Sequence, residues 1–93
     1  MRNIEVIKQF LNKSSGNSDN GNLISTGDKL INYNTCISEW NCNCIMINIT
    51  KYSSSTSRIQ NMLLSEIRFG HKVVRVENVP INTKYLWKHK EKM

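Results

Sequence analysis

The chain has no alanine at any of its 93 positions, a single proline (Pro80) and four glycines. Missing alanine beside abundant asparagine and isoleucine reflects the codon supply of an AT-rich genome rather than a physical demand. No apolar run approaches the length of a membrane span. The opening MRNIEVIKQF is amphipathic and unlike the h-region of a signal peptide. A soluble, cytoplasmic protein with no membrane partner is therefore expected. There its three cysteines, Cys36, Cys42 and Cys44, stay reduced, and their odd number argues against a disulfide framework.

The catalytic inventory is also short. There is no P-loop and no GxGxxG. His71 and His89 are far apart, and the seven carboxylates are scattered singly, which suggests no acid–base dyad. Cys42-x-Cys44 is too tightly spaced for a zinc knuckle. A Cys36 or Cys44 thiol served by His71 is the one nucleophilic arrangement left, and no motif supports it. The expectation is a protein that is not an enzyme and carries no metal and no cofactor.

What the chain does have is 39% hydrophobic residues, enough for the modest core of one domain spanning residues 1–93. Self-association would add buried area, so a homo-oligomer is a reasonable expectation. Charge is distributed unevenly. Residues 1–50 hold four basic and four acidic groups, whereas residues 51–93 hold nine basic and three acidic, so the whole net charge of +6 lies in the second half. A one-sided basic surface steers nucleic acid, nucleotides or an acidic protein face.

Ile4, Ile7 and Leu11, with Val6 and Phe10 widening the stripe, predict an amphipathic helix over 3–13. Residues 14–22 (SSGNSDNGN) have no apolar side chain and predict a flexible loop. Period-two patterns then flank Thr26-Gly27-Asp28, a hairpin turn, and a second strand pair surrounds Asn41-Cys42-Asn43. In the later strand Ile45, Ile47 and Ile49 share the core face. A serine and threonine run offers N-caps for a helix marked by Ile59, Met62, Leu63 and Ile67, with Gly70 placed to end it. KVVRVENV predicts a strand closed by Pro80, and residues 81–93 a basic C-terminal segment. The order α-β-β-β-β-α-β predicts an α+β fold, a small antiparallel sheet with an N-terminal and a central helix packed on one face.

The segment KYSSSTSRIQ joins a strand to a helix start, where free N–H groups and the positive dipole end favour anions. The candidate anion or ligand residues are Lys51, Tyr52, Ser53, Ser55, Thr56, Ser57, Arg58 and Gln60. One cap requires one hydroxyl, and the run from Ser53 to Ser57 exceeds that requirement. Lys84, Tyr85, Trp87, Lys88 and Lys90 are the candidate partner contacts, because aromatic faces beside cations stack bases and anchor interfaces. Tyr33 and Tyr52 stand in similar polar company, whereas Trp40, alternating with Ile37 on a strand, reads as core or interface.

Tyr33, Thr35 and Ile37, followed by Tyr52, Ser53, Ser55, Thr56, Ser57 and Gln60, form a pattern over residues 29–68. It resembles a family of small uncharacterised domains in phages and prophages of low-GC bacteria. Ser55 departs from the threonine that the pattern expects. The resemblance carries no activity, but it implies a phage context and the cytoplasm of an infected bacterial host. In that context three readings follow. The first is a non-enzymatic, anti-CRISPR-like inhibitor that binds a host protein or ribonucleoprotein complex through its basic surface. The second is an oligomeric sponge for a nucleotide messenger, which would hold a phosphate-bearing ligand. The third is a nucleic-acid-binding accessory protein.

Overall fold

A computed structural model describes residues 1–67 and 72–86. The chain runs through α1 (Asn3–Leu11), β1 (Ser15–Asn17), β2 (Leu23–Thr26), β3 (Lys29–Asn32), β4 (Thr35–Asn41), β5 (Cys44–Asn48), α2 (Ser54–Glu66) and β6 (Lys72–Val76). The strands form one six-stranded sheet in sequence order. This is the expected α+β arrangement, with two differences.

Firstly, the sheet is mixed. β1 to β5 make an antiparallel meander, whereas β6 pairs parallel to β5. The physical reason is the connection: α2 lies between the two strands, and a helical crossover returns the chain in the same direction. Secondly, the segment expected as an irregular loop contains β1, which pairs with β2 through Ser15–Thr26, Gly16–Ser25 and Asn17–Ile24. A three-residue edge strand needs backbone partners rather than apolar side chains, so hydropathy gave no sign of it.

Both helices cover one face of the sheet. Val6, Ile7 and Phe10 of α1 and Ile59 and Leu63 of α2 pack with Leu23, Leu30, Ile37, Ile45 and Ile47. Each such side chain contributes about 1.5–3 kcal/mol when fully buried. The expected alternation in β5 holds, since Ile45 and Ile47 lie on the helix side and Met46 on the other. In β4 a register shift falls between the Leu30–Ser38 and Ile31–Cys36 pairs, leaving Ile37 as an extra residue. That bulge lets both Ile37 and Trp40, an odd number of residues apart, reach the helix-side core.

The opposite face carries a smaller cluster of Cys36, Met46, Val76, Val79 and Leu86. It is closed by residues 77–86, which cross beneath the sheet. The Cys36 N–H donates to the Thr83 carbonyl (2.7 Å), and the Asn82 N–H donates to the Thr35 hydroxyl (2.9 Å). The Leu86 N–H donates to the buried Glu39 carboxylate at 2.8 Å. The first half of the expected basic C-terminal segment is thus a strap with a buried end, while Trp87, Lys88 and Lys90 lie outside the described residues, as does Gly70.

The turns after β2 and β3 have left-handed backbone, and the second of them borders the site. Gly27 has φ +100°, a conformation that favours glycine, and a Cβ there would come within a tight 3.2 Å of the Lys13 carbonyl oxygen. Between β3 and β4 the turn residues Tyr33 (φ +49°) and Asn34 (φ +66°) are both left-handed. That is the geometry of a two-residue hairpin turn, which asparagine and glycine suit and a bulky aromatic does not.

Candidate functional site

The strand-to-helix junction at residues 50–60 separates its polar residues into fasteners and surface groups. Ser53 is the N-cap of α2, and its hydroxyl accepts from the Thr56 N–H at 3.3 Å. Thr56 is buried, and its own hydroxyl donates to the Asn32 side-chain oxygen at 2.9 Å. One turn later the Gln60 amide donates to the carbonyls of Asn48 (2.6 Å) and Thr50 (3.1 Å), closing the end of β5 against α2. The Tyr52 hydroxyl donates to the Val79 carbonyl at 2.5 Å and accepts from Asn48 at 2.9 Å, which ties the junction to the strap. Asn48 also donates to the Cys36 carbonyl at 3.1 Å. No buried side-chain nitrogen or oxygen among the described residues lacks a partner, as a stable polar layer requires.

Four of the eight expected ligand residues, Tyr52, Ser53, Thr56 and Gln60, are therefore internal fasteners. The other four are divided between two clefts. Lys51 and Ser57 line a cleft of about 200 Å³ with Ile47, Ile49, Gln60 and Leu64. Ser55 and Arg58 line a different one, of about 160 Å³, with Asn20, Asn22, Asn32 and Tyr33. Adjoining the second is a depression of about 280 Å³ that shares Asn32, Tyr33 and Ser55 and adds Tyr52, Ser53 and Ile81.

The donors around this double depression are under-used. The carbonyl oxygen of Asn20 accepts from Ser18 and from the Asn22 N–H, but its NH₂ has no acceptor among the described residues. The Tyr33 hydroxyl accepts from the Asn22 amide at 3.1 Å, which leaves its own proton available. Neither depression has a carboxylate in its lining, and Arg58 is the one charged residue there. The first-turn amides of Ser54 and Ser55 have no acceptor among the described residues, as the free end of a helix dictates. Such an arrangement can accept negatively charged oxygen atoms beside an aromatic ring.

The sequence pointed to Ser55 and Arg58 but not to Asn20, Asn22, Asn32 or Ile81, which come from three other parts of the chain. Tyr33 stood in the resemblance pattern and among the polar aromatics, without a site attached. Its signal was available: an exposed aromatic in a two-residue turn is a poor fit that needs a reason.

Of the expected partner contacts, Lys84 is exposed and Tyr85 half-buried on the strap, next to the buried Leu86. Trp40 is half-buried on the core, as expected. Its ring N–H donates to the Phe10 carbonyl at 2.8 Å, and the Lys13 ammonium sits 4.7 Å from its ring centre.

Cys36 is buried, and burial, reinforced by the Glu39 carboxylate, pushes its thiol from 9.0 up to about 12. A thiol in that state is a poor nucleophile. Cys42 is exposed on the β4–β5 turn and Cys44 is half-buried, while His71 lies outside the described residues. Among the described residues no helix is long and apolar enough to cross a membrane. No protein-family model matches the chain, and no curated protein or solved structure matches it.

Proposed function

We propose that this protein is a non-catalytic binder of a phosphate-bearing partner, acting as an inhibitor of a host nucleic-acid-handling complex through its basic surface. The observation that supports this is the state of the charges. In residues 1–50 the carboxylates are engaged internally. Glu5 accepts from the Arg2 N–H, Asp19 holds the N-terminal ammonium, Asp28 accepts from the Thr26 hydroxyl and Glu39 accepts from Leu86. In the second half Lys51, Arg58, Lys72, Arg75 and Lys84 are all exposed, and none forms an ion pair among the described residues. Unpaired, exposed cations in excess of carboxylates are the footprint of an anionic partner.

The phage-type resemblance of residues 29–68 favours a counter-defence role over a housekeeping one, and the buried, proton-retaining Cys36 is disfavoured as a nucleophile. A second reading, a sponge for a small phosphate-bearing messenger, is favoured by the double depression at Tyr33, Ser55 and Arg58.

The test is a salt titration of the full chain against a labelled single-stranded oligonucleotide, alone and within a guide-bearing effector complex. A phosphate partner gives an affinity that falls steeply with salt, and neutralising Lys51, Arg75 or Lys84 lowers the slope by about one each. An affinity independent of salt and of these cations would refute the reading.

A further inference from the structure

We infer that Tyr33 is the stacking platform of a nucleotide-binding cleft, with a base against Tyr33 and Ile81 and its phosphate at Arg58 and Ser55. This deepens the phosphate-partner reading above and rests on it. Three independent observations lead here.

The first is exposure. Tyr33 is 51% exposed and Ile81 is 68% exposed, the largest values among the big apolar side chains described. Both line the same depression of about 280 Å³, although one belongs to the β3–β4 turn and the other to the strap. Two surface hydrophobes from distant parts of the chain thus converge on one hollow. Its size suits a single ring system, not a drug-sized ligand.

The second is conformation. Tyr33 sits at φ +49°, in the first position of a turn that asparagine or glycine would occupy with less strain. Its ring makes no aromatic contact among the described residues, and its hydroxyl is steadied by Asn22. Packing therefore gives little reason to keep an aromatic at a strained position, whereas a stacking surface would.

The third is charge. The adjoining hollow of about 160 Å³ shares Tyr33, Asn32 and Ser55 with the first and adds Arg58 and the free NH₂ of Asn20. With no carboxylate in either lining, the complement is an anion joined to a flat ring. The shared chemistry is a nucleoside phosphate, free or as one unit of a single strand. A six-membered pyrimidine or a fused purine makes little difference, because every base presents a π-face.

The test is fluorescence anisotropy of a dye-labelled oligothymidylate with the full chain, using thymidine monophosphate as competitor. Tyr33→Asn removes the ring while relieving the turn, so its melting temperature is expected to equal or exceed that of the parent. Its affinity is expected to fall about ten-fold or more, the usual effect of losing one stacking partner. Tyr33→Phe, which keeps the ring, should stay within about three-fold by the same reasoning. Arg58→Gln should weaken binding and lower the salt slope by about one. Displacement by the monophosphate at comparable concentration would assign the cleft to free nucleotide, and displacement only by oligomers would assign it to a strand. Both outcomes support the cleft. If Tyr33→Asn bound like the parent while Lys72→Gln and Arg75→Gln abolished binding, the cleft would be wrong and the phosphate-partner reading would stand. If neither probe bound the parent protein at low salt, both would fall.

Discussion

Thr56 and Gln60 point from the start of α2 into the fold and Ser53 caps it, while Ser55 and Arg58, on the same turns, line the depression beside Tyr33. Lys51 and Ser57 open onto a third direction, the cleft beneath Leu64. The residue types overlap on the inner and outer sides, so composition does not distinguish them. Helical phase does. Positions 56 and 60 are one turn apart and bury with Ile59 and Leu63, whereas 55 and 58 share a flank. A hydroxyl-rich helix start is therefore not one site. Its inward members act as fasteners, and the polar groups not spent on the fold are Ser55 and Arg58 on one side and Lys51 and Ser57 on the other.

The sharpest way to break this comparison is to remove a fastener. Gln60→Ala leaves the Asn48 and Thr50 carbonyls without their donor, and should cost about 2–3 kcal/mol of stability in urea denaturation. Oligonucleotide affinity per folded molecule should be unchanged. Tyr52→Phe deletes the hydroxyl that links Asn48 to Val79 and should cost about 1–2 kcal/mol in the same measurement. Ser53→Ala removes the N-cap alone, for about 1 kcal/mol. At the outer side the pattern reverses: Arg58→Gln should change stability by less than about 0.5 kcal/mol, as a solvated surface substitution does, yet reduce phosphate binding. A large loss of stability there, or an unchanged affinity, would dissolve the distinction.

A smaller effect tests the far face of the sheet. The Cys36 thiol keeps its proton up to about 12, above its unfolded value of 9.0. A group whose folded pKa is raised contributes stability that is fully present below the unfolded pKa and is lost as pH rises toward the folded one. Stability should therefore decline between pH 9 and about 12 in the parent, and decline less in Cys36→Ser over the same window. In native protein at neutral pH, iodoacetamide should label exposed Cys42 well before Cys36, as mass spectrometry of digests would show.

The parts of the fold legible in the sequence were those governed by local periodicity. The Ile45 and Ile47 face, the Gly27-Asp28 turn, the α1 stripe and the Ile59 and Leu63 face of α2 all follow from spacing alone. The parallel β6 had a signal that outweighs the meander before it, since strand–helix–strand order favours a crossover. β1 had none, because Ser15, Gly16 and Asn17 enter the sheet through their backbones. The bulge at Ile37 was equally silent, being a property of the pairing and not of either strand. For the candidate site, residue type drew attention to the right segment, but the fold decided which members were free. It also brought Tyr33, Asn20, Asn22 and Ile81 to them across distances in the chain that no local rule spans.

Phosphate binding beside Tyr33 is best followed by backbone amide NMR of the full chain, titrated with a single-stranded oligonucleotide at low and at high salt. Salt-suppressed shifts are expected at Tyr33, Ser54, Ser55 and Arg58, extending to the exposed cations of β6 and the strap. Shifts confined to α1, β1 and β2, or none at low salt, would contradict binding there.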